Sequence, residues 1–308
     1  MSVSAEYLPT AAFAHAVAVI VGQQRSLATW QRVQGGGYTP AARLRVRFAT
    51  GESVFVKAAT SENTAQWLRT ERRVYESLSP GKYDFLPRYY GAGEADGFPF
   101  LVLEDLTSAH WPPPWSEPLI HRLLSTFEQV RAAASSAPAD LPLCRDAAGA
   151  MSSWHDVAAN PDAFLHLGFC SASWLDTALP TLAAASDAAP FDGSDLLHMD
   201  IRSDNLCFCP DGRTVIVDWN HACIGNGALE IAGWLPSLCD EGGPLPETLM
   251  PTGGAEFAAW LSGYWGYQAG KPSIPTAPHV RTIQRRQLAV ALPWAVRALG
   301  LPPLDGVS

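Results

Sequence analysis

Three consecutive prolines, Pro112-Pro113-Pro114, flanked by Trp111 and Trp115, cut this chain into two stretches of different patterning. Proline fixes φ and lacks an N–H, so such a run is a stiff, extended connector that continues neither a helix nor a sheet. Before it, short segments with strand periodicity dominate. After it, apolar residues recur mainly at helical spacing. With 308 residues, 47% of them hydrophobic, the chain has enough apolar surface for a substantial core. The expectation is an α+β chain with one lobe over residues 1–106 and a second, mainly helical lobe over 107–308.

The first lobe reads as a helix followed by a mostly antiparallel sheet. Ala11 to Gly22 is apolar, short and interrupted by His15, with Pro9 at its start and no basic residues before it. That predicts a packed helix rather than a signal or membrane segment. Ala28 to Gln34 is a strand candidate, followed by Gly35-Gly36-Gly37-Tyr38-Thr39. Arg43-Leu44-Arg45-Val46-Arg47-Phe48 alternates charged and apolar residues, as a half-exposed strand does. Thr50-Gly51 turns it into Ser53-Val54-Phe55-Val56-Lys57. From Glu62 to Leu78 the period becomes helical, and Ser79-Pro80-Gly81 stops it. Strand candidates Arg88–Gly91 and Pro99–Leu103 follow, the second running into Glu104-Asp105-Leu106. Beyond the prolines, helices are expected at about 117–136, 171–187, 226–239, 254–268 and 278–299. Two short strands near 206–209 and 214–218 interrupt them, and Pro302-Pro303 opens a loose tail.

The formal net charge of −9 argues against a nucleic-acid partner, which needs a basic surface. The same excess suits a cationic substrate, although solubility alone is the commoner reason for it. None of the six cysteines forms a C-x-x-C pair. Cys207, Cys209, His221 and Cys223 are the only cluster near zinc-like spacing, and buried thiols in a reducing, cytoplasmic compartment are the simpler reading.

Two motifs carry the chemistry: His198-Met199-Asp200-Ile201-Arg202-Ser203-Asp204-Asn205, then Val215-Ile216-Val217-Asp218-Trp219-Asn220. They set a carboxylate, an amide and a second carboxylate at the spacing used to hold Mg-ATP for phosphoryl transfer. Asn205 and Asp218 supply two hard oxygen ligands for Mg²⁺, and phosphate oxygens complete the shell. Asp200 is left to accept a proton from an attacking hydroxyl. Arg202, on the same loop, has the planar donor fork that neutralises a phosphate. Lys57 ends a strand and can aim a fixed cation at the other phosphates. Glu71, fourteen residues on, can hold it, with Glu76 as the other candidate. A pair among Arg69, Arg72 and Arg73 on a helix surface would explain Glu71 equally.

The order of these features resembles the aminoglycoside phosphotransferase / choline kinase family, over roughly residues 10 to 240. That resemblance implies a bilobal protein-kinase-like fold, with one key helix beside the N-lobe sheet, and an enzyme using ATP and Mg²⁺. By the family pattern, Gly36, Gly37, Tyr38 and Thr39 belong to the nucleotide-covering hairpin. Lys57 and Glu71 match the phosphate-binding lysine and its partner, and Glu104, Asp105 and Leu106 the hinge that meets adenine. Asp200 matches the catalytic aspartate, Asn205 and Asp218 the metal ligands, and His198 the histidine that supports the loop. Met199 stands where the family commonly has Gly, Asn220 where it has Glu, and Glu230 where it has Asp.

The implied function is transfer of the γ-phosphate of ATP to a hydroxyl of a small molecule, an aminoglycoside or other antibiotic. A metabolite kinase for a sugar, choline-like or homoserine-like acceptor has the same motifs. A nucleotide-binding module without turnover is the reading from another class. Acidic residues Glu230, Asp240, Glu241, Glu247 and Glu256 are candidates to hold a cationic acceptor, and Trp111, Trp115, Trp154, Trp174, Trp234 and Trp265 to line its site. No G-x-S-x-G context supports a hydrolase, and neither a nucleic-acid nor a membrane partner is expected.

Overall fold

The computed structural model describes residues 10–22, 27–33, 41–95, 97–151, 153–275 and 277–306. Its chain forms two compact units. One comprises Met1–Pro112, Ser135–Asp140 and Asp204–Ala222; the other comprises Pro113–Ala134, Leu141–Ser203 and Cys223–Ser308.

The first unit is built on a five-stranded antiparallel sheet: β1 (Leu27–Arg32), β2 (Ala42–Phe48), β3 (Ser53–Ala58), β4 (Tyr89–Ala95) and β5 (Phe98–Glu104). The strand order is β1-β2-β3-β5-β4. Alternation decides its faces. Leu44, Val46 and Phe48 of β2 and Val54 and Val56 of β3 point to one side, where the helix α1 (Ala11–Ile20) covers them with Phe13 and Val17. Phe13 meets Phe100 edge-to-face, ring centres 4.9 Å apart. Thr10 caps α1: its Oγ1 accepts the Phe13 N–H at 3.2 Å. Pro9, Gln34 and the Gly36-Gly37-Tyr38-Thr39 segment lie outside the described residues.

Because Val54 and Val56 face α1, Lys57 is turned to the opposite face of the sheet. The second helix, α2, runs Glu62–Leu78 as its periodicity predicts. Ser61 and Thr64 form its capping box, the side chain of each accepting the backbone N–H of the other at 3.3 and 2.9 Å. The hairpin Leu206–Phe208 with Thr214–Ile216 also belongs to this unit. It is joined by Ile216 N–H donating to the Phe85 carbonyl at 2.8 Å and by the packing of Trp219 on Phe85.

The second unit is mainly helical. Its long helices are Glu117–Ala132, Ala172–Asp187, Ala228–Asp240, Ala255–Ala269 and Val280–Ala298, close to the expected spans. Short helices at Cys144–Gly149, Trp154–Ala159 and Pro161–Leu165 have no counterpart in the expectations. One to two turns leave too few residues for a period to register. Trp154 and Trp234, proposed for an acceptor site, are instead core residues; Trp154 donates to the Ala259 carbonyl at 2.8 Å. The tail is not loose. Asp305 accepts from the N–H and hydroxyl of Ser171 at 2.7 and 2.6 Å, and Trp174 donates to the Pro302 carbonyl at 2.9 Å. A paired strand of only three residues, Asp195–Leu197 against Cys223–Gly225, leads into the His198 motif.

Candidate active site

In the first unit the sheet and α2 converge on Lys57. Its Nζ lies 2.7 Å from Glu71 Oε2 and 2.6 Å from Asp218 Oδ1. Lys57 is 5% exposed and Glu71 1%. Burial works to lower the Lys57 pKa, but the charges of Glu71 and Asp218 overcome it and hold the ammonium above its ordinary range. Glu71 is fixed in turn by the Tyr75 hydroxyl, which donates to Oε1 at 3.1 Å. Glu76 pairs instead with Arg72, at 2.7 Å on the exposed face.

Asp218 follows the strand Thr214–Ile216 and sits at φ 70°, ψ 51°, a left-handed conformation unusual for a residue with a Cβ. Its surroundings impose it. Trp219 is fully buried and donates to the Ile216 carbonyl at 2.9 Å. Val217 N–H donates to the Asn205 carbonyl at 2.9 Å, so the ladder puts Asn205 beside Asp218 in one unit. Asn205 is 2% exposed. The pair offers one amide oxygen and one carboxylate, hard donors that fit Mg²⁺ once phosphate oxygens complete the shell. Among the described residues no group of three or more His, Cys, Asp or Glu is arranged to hold a metal ion, and Cys207, Cys209 and Cys223 are buried free thiols.

The hinge residues are structural as well. Glu104 is clasped by Arg213, 2.6 Å, and by the Arg88 N–H, 2.9 Å. Asp105 accepts from Ser53 and Arg45 at 2.5 Å each. Partial burial would raise the Asp105 pKa, but bonds from Ser53, Thr107 and Arg45 keep it below the usual carboxylate range. Leu106 is buried beside Cys207, Cys209 and Val215.

The second unit holds the loop from His198 to Ser203. Met199 occupies φ 67°, the region where glycine is at home. Glu230 compensates: its carboxylate accepts the backbone N–H of both His198 and Met199, the latter at 3.0 Å. His198 is fully buried, and its Nδ1 accepts the Asp200 N–H at 3.2 Å. Arg202 lies 3.5 Å from Asp200. At the far end of the loop, Ser203 donates to Glu241 Oε1 at 2.6 Å, and Trp115 holds the other oxygen at 2.7 Å. One helix, Ala228–Asp240, thus supplies Glu230 near its start and leads into Glu241 at its end, and the two carboxylates grip the two ends of the loop. The sequence reading missed this role for Glu241, because nothing local marks an acid whose partner lies 38 residues away.

The site residues therefore divide. Lys57, Glu71 and Asp218 meet within the first unit, where Asn205 is bonded through its carbonyl to Val217; Asp200 and Arg202 meet within the second, and the chain passes between the units at Ser203-Asp204.

Among proteins of curated function none matches the chain. Solved structures do. The aminoglycoside phosphotransferase APH(4)-Ia in complex with ADP and hygromycin B is 13% identical, over 93% of this chain and 97% of its own, with a TM-score of 0.56. APH(2")-IIia with GDP and kanamycin is 12% identical, over 93% and 98%, at 0.56. The choline kinase LicA from Streptococcus pneumoniae is 11% identical, over 89% and 96%, at 0.55. These likenesses establish a protein-kinase-like fold. The model of the phosphotransferase enzyme family (APH) matches residues 29–272, and the chain therefore belongs to that family and is a small-molecule kinase.

Proposed function

We propose that this enzyme uses ATP and Mg²⁺ to phosphorylate a hydroxyl group of a small molecule. The observation that carries the reading is the buried Lys57 held between Glu71 and Asp218. A cation excluded from water and fixed by two carboxylates suits a polyphosphate better than it suits structural packing alone. Asn205 and Asp218 would hold the metal, whose charge offsets that of the phosphates. The side chains of Glu104 and Asp105 already serve the fold, so contact with the nucleotide base falls to the hinge backbone. Asp200 orients the acceptor hydroxyl and takes its proton as the oxygen bonds to the γ-phosphorus. The bond from that phosphorus to the β–γ bridging oxygen breaks, giving ADP and a phosphomonoester. Arg202, beside Asp200, is placed to offset charge on the transferred group.

A metabolite acceptor is favoured over a polycationic one by a specific observation. Of the five acids that the sequence offers for ammonium groups, four are already engaged. Glu230 and Glu241 hold the loop, Asp240 pairs with Arg286 at 2.8 Å, and Glu247 pairs with Arg297. The six cysteines are free thiols, and no described helix is long and apolar enough to cross a membrane, which suits a cytoplasmic enzyme.

The test is ADP release from purified protein across a panel of sugars, amino alcohols and aminoglycosides, with and without Mg²⁺. Turnover is expected with a hydroxylated acceptor and is expected to vanish in Asp200→Ala. Undiminished turnover in that variant would remove Asp200 from the mechanism. Nucleotide binding without transfer to any acceptor would favour a regulatory module instead.

A further inference from the structure

After β5 the backbone groups of the hinge are largely spoken for. Glu104 N–H donates to the Arg88 carbonyl at 2.9 Å, while the Arg88 N–H goes to the Glu104 side chain rather than to its carbonyl. Thr107 N–H donates to Asp105 Oδ1 at 3.1 Å. The Leu106 carbonyl accepts twice, from the Ala109 N–H at 3.0 Å and from the Trp111 indole N–H at 3.3 Å, which uses both of its lone pairs. Trp111 is held there. Its ring packs on the cluster of Leu106, Cys207, Cys209 and Val215, and its neighbour His110 exchanges two backbone bonds of 2.9 Å with Phe208. Among the described residues neither the Asp105 carbonyl nor the Leu106 N–H has a partner.

The hinge thus offers a short row: an acceptor before Leu106, then the Leu106 N–H, then a carbonyl that is already filled. Adenine presents a donor, its 6-amino group, beside an acceptor, N1, and the row complements it. Guanine presents an acceptor, O6, followed by two donors, N1–H and its 2-amino group. With O6 on the Leu106 N–H, both guanine donors meet the filled carbonyl. Shifted by one place, with N1–H on the preceding carbonyl, the 2-amino group meets the Leu106 N–H, donor against donor. A desolvated donor left unpaired costs guanine affinity that adenine keeps. We propose that Trp111 is a specificity-determining residue: by occupying the Leu106 carbonyl it restricts the nucleotide to ATP over GTP. This deepens the proposed function and rests on its assignment of the hinge backbone to the nucleotide base.

The experiment is calorimetric titration of ADP, GDP and inosine diphosphate into the full chain with excess Mg²⁺. Wild type is expected to bind ADP at least about tenfold more tightly than GDP, with inosine diphosphate, which lacks the 2-amino group, between them. Trp111→Phe keeps an aromatic ring in the cluster and removes the donor. In this variant the preference for ADP over GDP should fall about tenfold, through tighter GDP rather than weaker ADP. An unchanged preference in the folded variant overturns the inference, as does an equal loss for both nucleotides, which marks a merely structural residue. If Trp111→Phe does not fold, the wild type decides: inosine diphosphate bound no more tightly than GDP overturns the inference. Equal wild-type affinity for ADP and GDP overturns it and leaves the proposed function standing. Binding of none of the three nucleotides overturns the proposed function with it.

Discussion

Glu230 accepts the backbone N–H of Met199 at 3.0 Å, and its other carboxylate oxygen takes that of His198. A single buried acid thus holds the two peptide groups that lead into Asp200. Burial pushes this carboxyl up to about 7, against the opposing pull of the two N–H bonds. A carboxyl raised above its ordinary 4.5 favours the folded protein most below that value, and the contribution is lost as pH rises through about 7. The ionised form, however, accepts the two N–H bonds more strongly. Between about pH 5 and 8 thermal stability should fall while kcat rises. In Glu230→Gln both trends should flatten, and kcat should drop about 100-fold through misplacement of Asp200. Parallel melting curves and pH–rate profiles of the two proteins check this.

The left-handed conformation of Met199 separates backbone from side-chain effects. Met199→Gly and Met199→Ala remove the same thioether, which lies 3.9 Å from Cys144 Sγ. They differ in the penalty at φ 67°. The glycine variant should be the more stable by about 1 kcal/mol in urea denaturation.

Lys57 and its acids form a buried set in which no member can be removed singly without leaving uncompensated charge. Lys57→Met should destabilise the protein by about 3 kcal/mol and abolish ATP turnover. The double variant Lys57→Met/Glu71→Leu should recover part of the stability and none of the activity. Denaturant midpoints set beside ADP release measure the two effects separately.

Glu241 ties the end of the loop to Trp115 from the second unit alone. Glu241→Ala should lower kcat about tenfold and leave the KM for ATP near wild type, because no residue of the lysine cluster loses a partner. Steady-state kinetics with ATP varied at fixed acceptor distinguishes this from general damage, which would raise KM as well.

Much of this protein is written locally in its sequence. Ser61 and Thr64 start α2, and Ser79-Pro80-Gly81 ends it, so its bounds follow from chemistry within a turn of each end. The alternation of β2 tells which residues face the core, because side chains on a strand change sides at every step. The loop carboxylate and the amide and aspartate that follow it are legible because their spacing is short and their chemistry specific. What only tertiary structure decided is partnership over distance. Lys57 meets Asp218 across 161 residues, and Asp204–Ala222 packs with the first 112. Glu230, which stands where the family commonly has Asp, and Glu241, which reads as a solvated acid or a contact for a cationic ligand, both hold a loop. Periodicity reports which face of an element is apolar; it carries no record of which distant polar group will share that face. Burial forces such groups to find one another, and only the folded chain fixes the pairs.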